Sequence, residues 1–440
     1  MFSNKDLYRL IIPLILEQLL AVTVGLADSV MVASVGEAAV SGISLVDTVN
    51  VLLINIFTAL ATGGAVVAGQ YIGQKRQEKA CLAADQVIIC TTSISLLITL
   101  LVYMGRNFIL TVVFGELDPA VFSSANTYLL IVSLSIPFLG LYNGAAALFR
   151  AMGNSKIPMY IAILINLINV VGNAILIYGF GMGVAGTAIP TLLSRIIGAI
   201  AIIILLSNQK SLIHISRPFK LYIDKHTLKK ILHIGIPNGL ENSMFQLGKI
   251  LILSLVASFG TASIAANAVS NTIGLFQILP GMAMGLAILT VTSQCVGAKD
   301  YDQVKFYIAK LLKITYVAMW IINLLIFILL PLIIKVYQLS PETAAITSKI
   351  LTYHGICCMT IWPLSFSLPN ALRASNDVKY TMIISILSMW ICRIGLSYVL
   401  GLYLGWGVFG VWVAMTLDWV FRAICFVIRY LGGKWQELKI

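Results

Sequence analysis

Charge is scarce in this sequence: Asp, Glu, Lys and Arg make up 10% of its 440 residues, against about a quarter in a soluble domain. Extended polar stretches are missing too, which excludes an ordinary water-soluble globule. The seven cysteines (Cys81, Cys90, Cys295, Cys357, Cys358, Cys392, Cys425) include no C-x-x-C pair, so a zinc ribbon or dithiol redox motif is excluded and helix packing accounts for them. Histidine is rare. His214, His226 and His233 lie in or beside one polar linker and His354 stands alone, so neither a metal site nor a nucleophilic triad can be assembled, and an enzyme is not expected. No G-x-x-x-x-G-K-[ST] loop occurs, which argues against ATP hydrolysis within this chain. A short leader with a cleavage site is also lacking, because the first apolar run continues as a full span. No organic cofactor or resident metal is expected.

What fills the sequence is hydrophobic: 59% of residues, with a mean hydropathy of +0.97. Runs long enough to cross a bilayer as helices recur along the whole chain. Hydropathy places them at 8–35, 46–71, 85–105, 124–149, 157–180, 184–207, 231–259, 268–295, 308–334, 344–371, 380–404 and 407–430. The expected fold is therefore an all-α polytopic membrane protein of twelve transmembrane helices. Its parts are an amino-terminal lobe (1–207), a linker (208–230) and a carboxy-terminal lobe (231–440).

Lys and Arg cluster on alternate connectors, and 23 of the 29 fall on one side: Lys5 and Arg9, then the groups 75–79, 150–156, 210–230, 299–313, 373–379 and 422–439. The opposite connectors hold Arg106, Lys335 and Lys349. The positive-inside rule puts both termini and the linker in the cytoplasm, with the chain in the cell membrane. The net charge of +12 thus reflects topology, and a nucleic-acid partner is not implied.

The second half restates the first. At a shift of 224, Pro13 meets Pro237, Glu17 meets Glu241, "SVGEAAVSG" (34–42) meets "SFGTASIAA" (258–266), and "QYIGQK" (70–75) meets "QCVGAK" (294–299). "LFRAMGNSK" (148–156) answers "ALRASNDVK" (371–379) at 223, and "GMGVAG" (181–186) answers "GWGVFG" (405–410) at 224. Six spans per half is an even number, so the repeats are parallel. Such two-lobed architectures bind substrate near midplane and alternate its access. A secondary transporter, monomeric in the bilayer, is the expectation.

The informative residues are the few charges inside spans, where an ionisable group points to function. Glu17 and Asp28 lie eleven residues apart on the first span, which returns them to nearly one helix face, roughly 16 Å apart. Glu17 and its mate Glu241 either attract cationic substrate as a symmetric pair or bond a neighbouring helix. Lys249, two turns beyond Glu241, is a further cavity candidate and a possible neutraliser of an acid there. Pro13 and Pro237 each remove a helix hydrogen bond and are hinge candidates. Asp418 and Arg422 are spaced as an i,i+4 ion pair, while Arg195 and Arg393 have no local partner. Asp47 and its mate Asn271 fall at the hydropathy starts of spans 2 and 8, where capping suffices.

"GLADSVMVASVG" (25–36), "LFRAMGNSKIPMY" (148–160) and "NVVGNAILIYGFGMGVAGTAIPT" (169–191), with the double repeat, give the chain its resemblance to the multidrug and toxic compound extrusion (MATE) transporters. The resemblance implies efflux of small organic, often cationic, compounds coupled to inward flow of H⁺ or Na⁺. It carries the coupling acid onto Asp28, and the rest of that site onto Asn169, Asn173 and Thr191. Asn173 departs from the pattern, since many members have a second carboxylate there. One carboxylate with amide and hydroxyl oxygens suits either a proton or Na⁺, so the ion stays open, with Na⁺ the one metal the site could take. Some members use acids in helices 7 and 10. Phe245 and the neighbourhood of Ile361 stand at those places, and Ile252 is the repeat mate of Asp28, so coupling in the amino-terminal lobe alone is expected. A flippase for lipid-linked precursors, on a related two-lobed fold, is the alternative.

Overall fold

The computed structural model describes residues 2–216 and 222–438. Arg217, Lys220 and Lys439, counted above among the cytoplasmic charges, lie outside the described residues. All twelve expected spans are helical: α1 (Asn4–Ala33), α2 (Glu37–Gly73), α3 (Gln77–Met104), α4 (Pro119–Ser133 with Ile136–Ala151), α5 (Lys156–Gly179), α6 (Ala185–Leu206), α7 (Lys225–Ala257), α8 (Thr261–Gly297), α9 (Tyr301–Val336), α10 (Pro341–Thr360 with Pro363–Ala374), α11 (Val378–Tyr403) and α12 (Gly407–Leu431).

Local chemistry sets several helix starts. Ser3 and Asp6 form a reciprocal capping box at α1 (3.2 and 2.9 Å), and the Asp300 and Ser340 side chains accept from Gln303 and Thr343 at α9 and α10 (3.1 and 3.3 Å). These bonds satisfy N–H groups that a helix leaves free at its first turn. Just before α7, the Asp224 carboxylate accepts from the Thr227 hydroxyl and backbone N–H, and the hydroxyl above all holds the acid below the usual carboxylate range.

Among the described residues, two spans are broken by sharp bends. α4 bends by 50° between Ser133 and Ile136, and α10 by 60° between Thr360 and Pro363. Pro137 and Pro363 sit in the first turn of each second segment, where the ring removes an N–H and the chain cannot continue the preceding helix undisturbed. Hydropathy cannot register this, because the segments on both sides are equally apolar. By contrast, α1 and α7 run unbroken through Pro13 and Pro237.

α2 begins at Glu37 and α8 at Thr261, so Asp47 and Asn271 lie well inside their helices and cap nothing. The weakly apolar stretch "EAAVSGISLV" reads as connector by hydropathy but is helical.

Packing divides the chain into two compact units, Phe2–Gly239 and Leu240–Ile440, a division that falls inside α7. In the first, α2 packs against α3 and both segments of α4, and α5 packs against α1 and α6. In the second, α8 packs against α9 and both segments of α10, and α11 against α12. Outward faces are apolar, as at Leu97, Leu100, Leu101 and Met104 on α3 and Ile321, Ile328 and Leu332 on α9. Asn50, Asn169, Asn173, Gln277 and Asn323 are buried, an inversion suited to hydrocarbon.

The repeat extends to backbone angles. Positive φ occurs at Gly36 (130°) and Gly260 (93°), Lys75 (58°) and Lys299 (57°), Gly181 (64°) and Gly405 (70°), and Gly183 (55°) and Gly407 (59°), each pair 224 residues apart. Lys75 and Lys299 are the telling pair, because a side chain in the left-handed region is uncommon and both copies keep it. The described linker residues are bonded to α3 of the first unit. Asp85 of α3 accepts from the Ser216 N–H and hydroxyl, the Gln86 amide donates to the Tyr222 carbonyl (2.7 Å), and Gln86 Oε1 accepts from the Asp224 N–H (3.1 Å).

Candidate functional site

Asp28, in the last turns of α1, faces α5. The Asn173 amide donates to its Oδ1 (3.1 Å) and to Asn169 Oδ1 (3.1 Å), and the Asn169 amide reaches Thr191 Oγ1 of α6 (3.0 Å). Turning the Asn169 amide over puts its nitrogen 3.0 and 3.1 Å from the two Asp28 oxygens and lets its oxygen accept from Thr191. The four residues carried over by resemblance therefore converge. Asn169 and Asn173 meet because they lie one turn apart on one face. Asn173 is 2% exposed, whereas Asp28 and Thr191 are half-buried, so the site has one open side.

Gly172 and Pro190 let α5 and α6 close on it. A Cβ at Gly172 would lie 2.7 Å from Pro190 Cβ and 2.9 Å from its Cγ, inside van der Waals contact with a ring that cannot rotate away. Gly172→Val is expected to part Thr191 from the two asparagines and lower gradient-driven flux about tenfold, a misplacement of ligands by about 1 Å being enough. Flux per folded molecule in proteoliposomes checks this, and wild-type flux would show that the helices need not be so close.

A second polar group lies in the same unit. Asp47 accepts from the Asn50 amide (3.1 Å) and the Tyr128 hydroxyl (3.3 Å), and Arg195 donates to Ser135 Oγ (2.8 Å) at the bend of α4. Tyr128 and Ser135 were not singled out in the sequence, where nothing distinguishes them from other small or aromatic span residues.

Glu17 and Glu241 do not join these groups. Glu17 Oε1 accepts from Arg150 Nη2 at 2.5 Å, and Glu241 Oε1 from Arg373 Nη2 at 2.7 Å and Arg422 Nη2 at 3.1 Å. Both acids are buried, at 8% and 6% exposure. Each ion pair stays within one unit, and Arg150 and Arg373 are repeat mates. Their charges are already matched, so the geometry is that of helix anchors. In the sequence these arginines counted as connector charges, and their common place in the repeat was the available signal.

The Asp418–Arg422 pair expected from spacing is not formed. Arg422 turns to Glu241 and to the Ser385 hydroxyl, and Asp418 accepts from the Ser388 hydroxyl with Arg393 Nε at 3.6 Å. Lys249 neutralises no acid among the described residues. It lies over the Phe245 ring, 5.1 Å from the centroid, and Arg393 lies 4.8 Å from the same centroid.

A family model described as MatE matches residues 13–175 and 237–399. The uncharacterized transporter YisQ of Bacillus subtilis (strain 168) is 27% identical over 98% of this chain and 95% of its own length. The probable multidrug resistance protein NorM of Thermotoga maritima is 24% identical over 99% and 94%. Among solved structures, a MATE in the bent conformation superposes with a TM-score of 0.87 at 20% identity, covering 98% of this chain and 94% of that one. An outward-facing multidrug resistance MATE transporter of the MOP superfamily gives 0.86 at 20%, over 98% and 95%. These two structures are alike in fold.

Proposed function

The chain belongs to the MatE family of multidrug efflux transporters, and from that premise we propose that it is a secondary antiporter exporting small organic compounds from the cytoplasm in exchange for H⁺ or Na⁺ bound at Asp28. The observation that carries this reading is the convergence of Asp28, Asn169, Asn173 and Thr191. A single carboxylate in a span, ringed by neutral oxygens and amide donors, suits reversible uptake of one positive charge.

With its nitrogen toward the carboxylate and its oxygen toward Thr191, the Asn169 amide stabilises an ionised, empty Asp28. The side-chain oxygens of Asn169, Asn173 and Thr191 are the neutral ligands a hard cation would take beside that carboxylate. A cation that binds one conformation of α1 better than another shifts the balance between them, which is all that coupling requires. Pro13, inside α1, is the proposed flexible point, with Pro237 its mate in α7.

Glu17 and Glu241 serve this machine as anchors of α1 and α7, since arginine already neutralises them. A preference for cationic compounds therefore cannot be assigned to that pair of acids. The protein works as a monomer in the cytoplasmic membrane with both termini inside, in keeping with the basic connectors. Members of the family are transporters rather than enzymes, and the match does not favour the flippase alternative.

Purified protein in liposomes loaded with a fluorescent organic dye tests the reading. Dye movement is expected under an imposed pH difference alone or an imposed Na⁺ difference alone, whichever ion Asp28 takes. Dye that moves equally without either gradient would overturn ion coupling.

A further inference from the structure

The second lobe holds a basic counterpart of the Asp28 site. At the repeat shift, Asp28 corresponds to Ile252, and Gly25, one turn earlier, corresponds to Lys249. Asn169 corresponds to Arg393 at a shift of 224. Where the first lobe places a carboxylate and an amide, the second therefore places an ammonium and a guanidinium. Both stand over one aromatic ring, with Lys249 Nζ 5.1 Å and Arg393 Cζ 4.8 Å from the Phe245 centroid.

The charge at this place does not close. Arg393 is 4% exposed and has one carboxylate near it, Asp418, with Nε 3.6 Å from Oδ2. That is too long for a hydrogen bond, and Asp418 Oδ2 has no hydrogen-bond partner among the described residues. Lys249 forms no ion pair among the described residues. Glu241, the one carboxylate of α7, is bound by Arg373 and Arg422. Two cations against one acid leave one surplus positive charge. A cation–π contact with Phe245 offsets part of the cost of holding like charges together, but a ring supplies no counter-charge. Lys249 lies at the exposed edge of this group, whereas Phe245 is half-buried and Arg393 buried.

We propose that Lys249 and Arg393, with Phe245 between them, form a recognition site in the second lobe for the carboxylate of an aromatic organic acid. The carboxylate completes the charge by accepting from Lys249 and from the guanidinium edge that Asp418 does not hold, and the ligand's ring packs on Phe245. This reading rests on the proposed transport function and narrows its substrate class: the compounds taken up here carry a negative group, and an organic cation gains nothing from this lobe. Asp418, through Arg393, is a positioning residue.

The test uses the full chain in lipid nanodiscs at neutral pH, with two intrinsically fluorescent probes of one shape, coumarin-3-carboxylate and coumarin-3-carboxamide. Binding is read by anisotropy and needs no ion gradient. Wild type is expected to prefer the carboxylate by about tenfold or more, the range of one charge-assisted contact. Lys249→Gln is expected to bring the two probes within about twofold of one another, and Lys249→Arg to keep the preference. Arg393→Gln alone strips Asp418 of its partner and risks misfolding. The neutral pair Arg393→Gln with Asp418→Asn is therefore the second variant, and it is expected to lose the preference as well. Equal affinity of the two probes in wild type, or a preference that survives both variants, overturns the proposal. The result is separable from the transport reading: ion-driven dye flux with no carboxylate preference sinks this inference alone, and carboxylate preference without ion-driven flux sinks the antiport reading alone.

Discussion

Asp28→Asn is expected to reduce gradient-driven efflux to the level of protein-free liposomes, a loss of about a hundredfold or more. The substitution removes the single negative charge of the Asp28–Asn169–Asn173–Thr191 site and little else. The new amide has the old shape and can still accept from the Asn173 amide, so helix packing is retained and thermal stability should move by less than about 1 kcal/mol. What is lost is the difference in cation affinity between conformations, and without that difference an ion gradient has nothing to act on. A coupling free energy of about 3 kcal/mol, the upper end of the usual range, corresponds to roughly a hundredfold. Asp28→Glu is the informative companion: it keeps the charge but moves it by a methylene, so partial flux is expected. Flux under a pH difference and under a Na⁺ difference, each normalised to folded protein, reads both variants. Undiminished flux in Asp28→Asn would move coupling to Asp47, an acid of this lobe that no arginine pairs among the described residues, with Tyr128 beside it.

Periodicity and hydropathy carry most of the fold, since bilayer thickness imposes span length and the repeat leaves its mark in turn residues such as Gly36 and Gly260. The site was legible by resemblance, and two residues one turn apart on α5 had to share a face. What stayed hidden was partnership across helices. Asp418 and Arg422 are correctly spaced to pair, but an i,i+4 pair contributes only about 0.2–0.5 kcal/mol. A buried arginine gains more from Glu241 on another helix. No spacing rule sees that competition. Arg150 and Arg373 were hidden for a related reason, as a basic residue at a helix end looks the same whether it meets water or a buried acid. The bends in α4 and α10 depend on where a proline falls relative to packing neighbours, which an apolar run does not encode.

Those arginines make Glu241→Gln the substitution with the largest expected effect on stability. A single oxygen of Glu241 receives Arg373 at 2.7 Å and Arg422 at 3.1 Å, and the three side chains are 7%, 11% and 3% exposed. Removing the acid leaves two guanidinium groups converging on a neutral amide in a place with little access to water. Breaking a buried ion pair by deleting one partner costs about 3–5 kcal/mol, because the remaining charge stays desolvated. Here two like charges remain, so the loss should lie at or above the top of that range. Arg422 can lean on the Phe366 ring, 4.7 Å away, and on the Ser385 hydroxyl, but neither offsets a full charge. Glu17→Gln strands Arg150 alone, and its side chain is 17% exposed, so it should lose less than Glu241→Gln. Thermal unfolding in one detergent ranks the two. Glu17→Gln with Arg150→Gln should recover most of the single-mutant loss, since removing both partners is often near neutral. Glu241→Gln with Arg373→Gln should recover only part, because Arg422 still lacks a carboxylate. Equal losses at Glu17 and Glu241 would mean that Arg422 draws nothing from the second pair, and that the two repeats anchor their first helices by one arginine each.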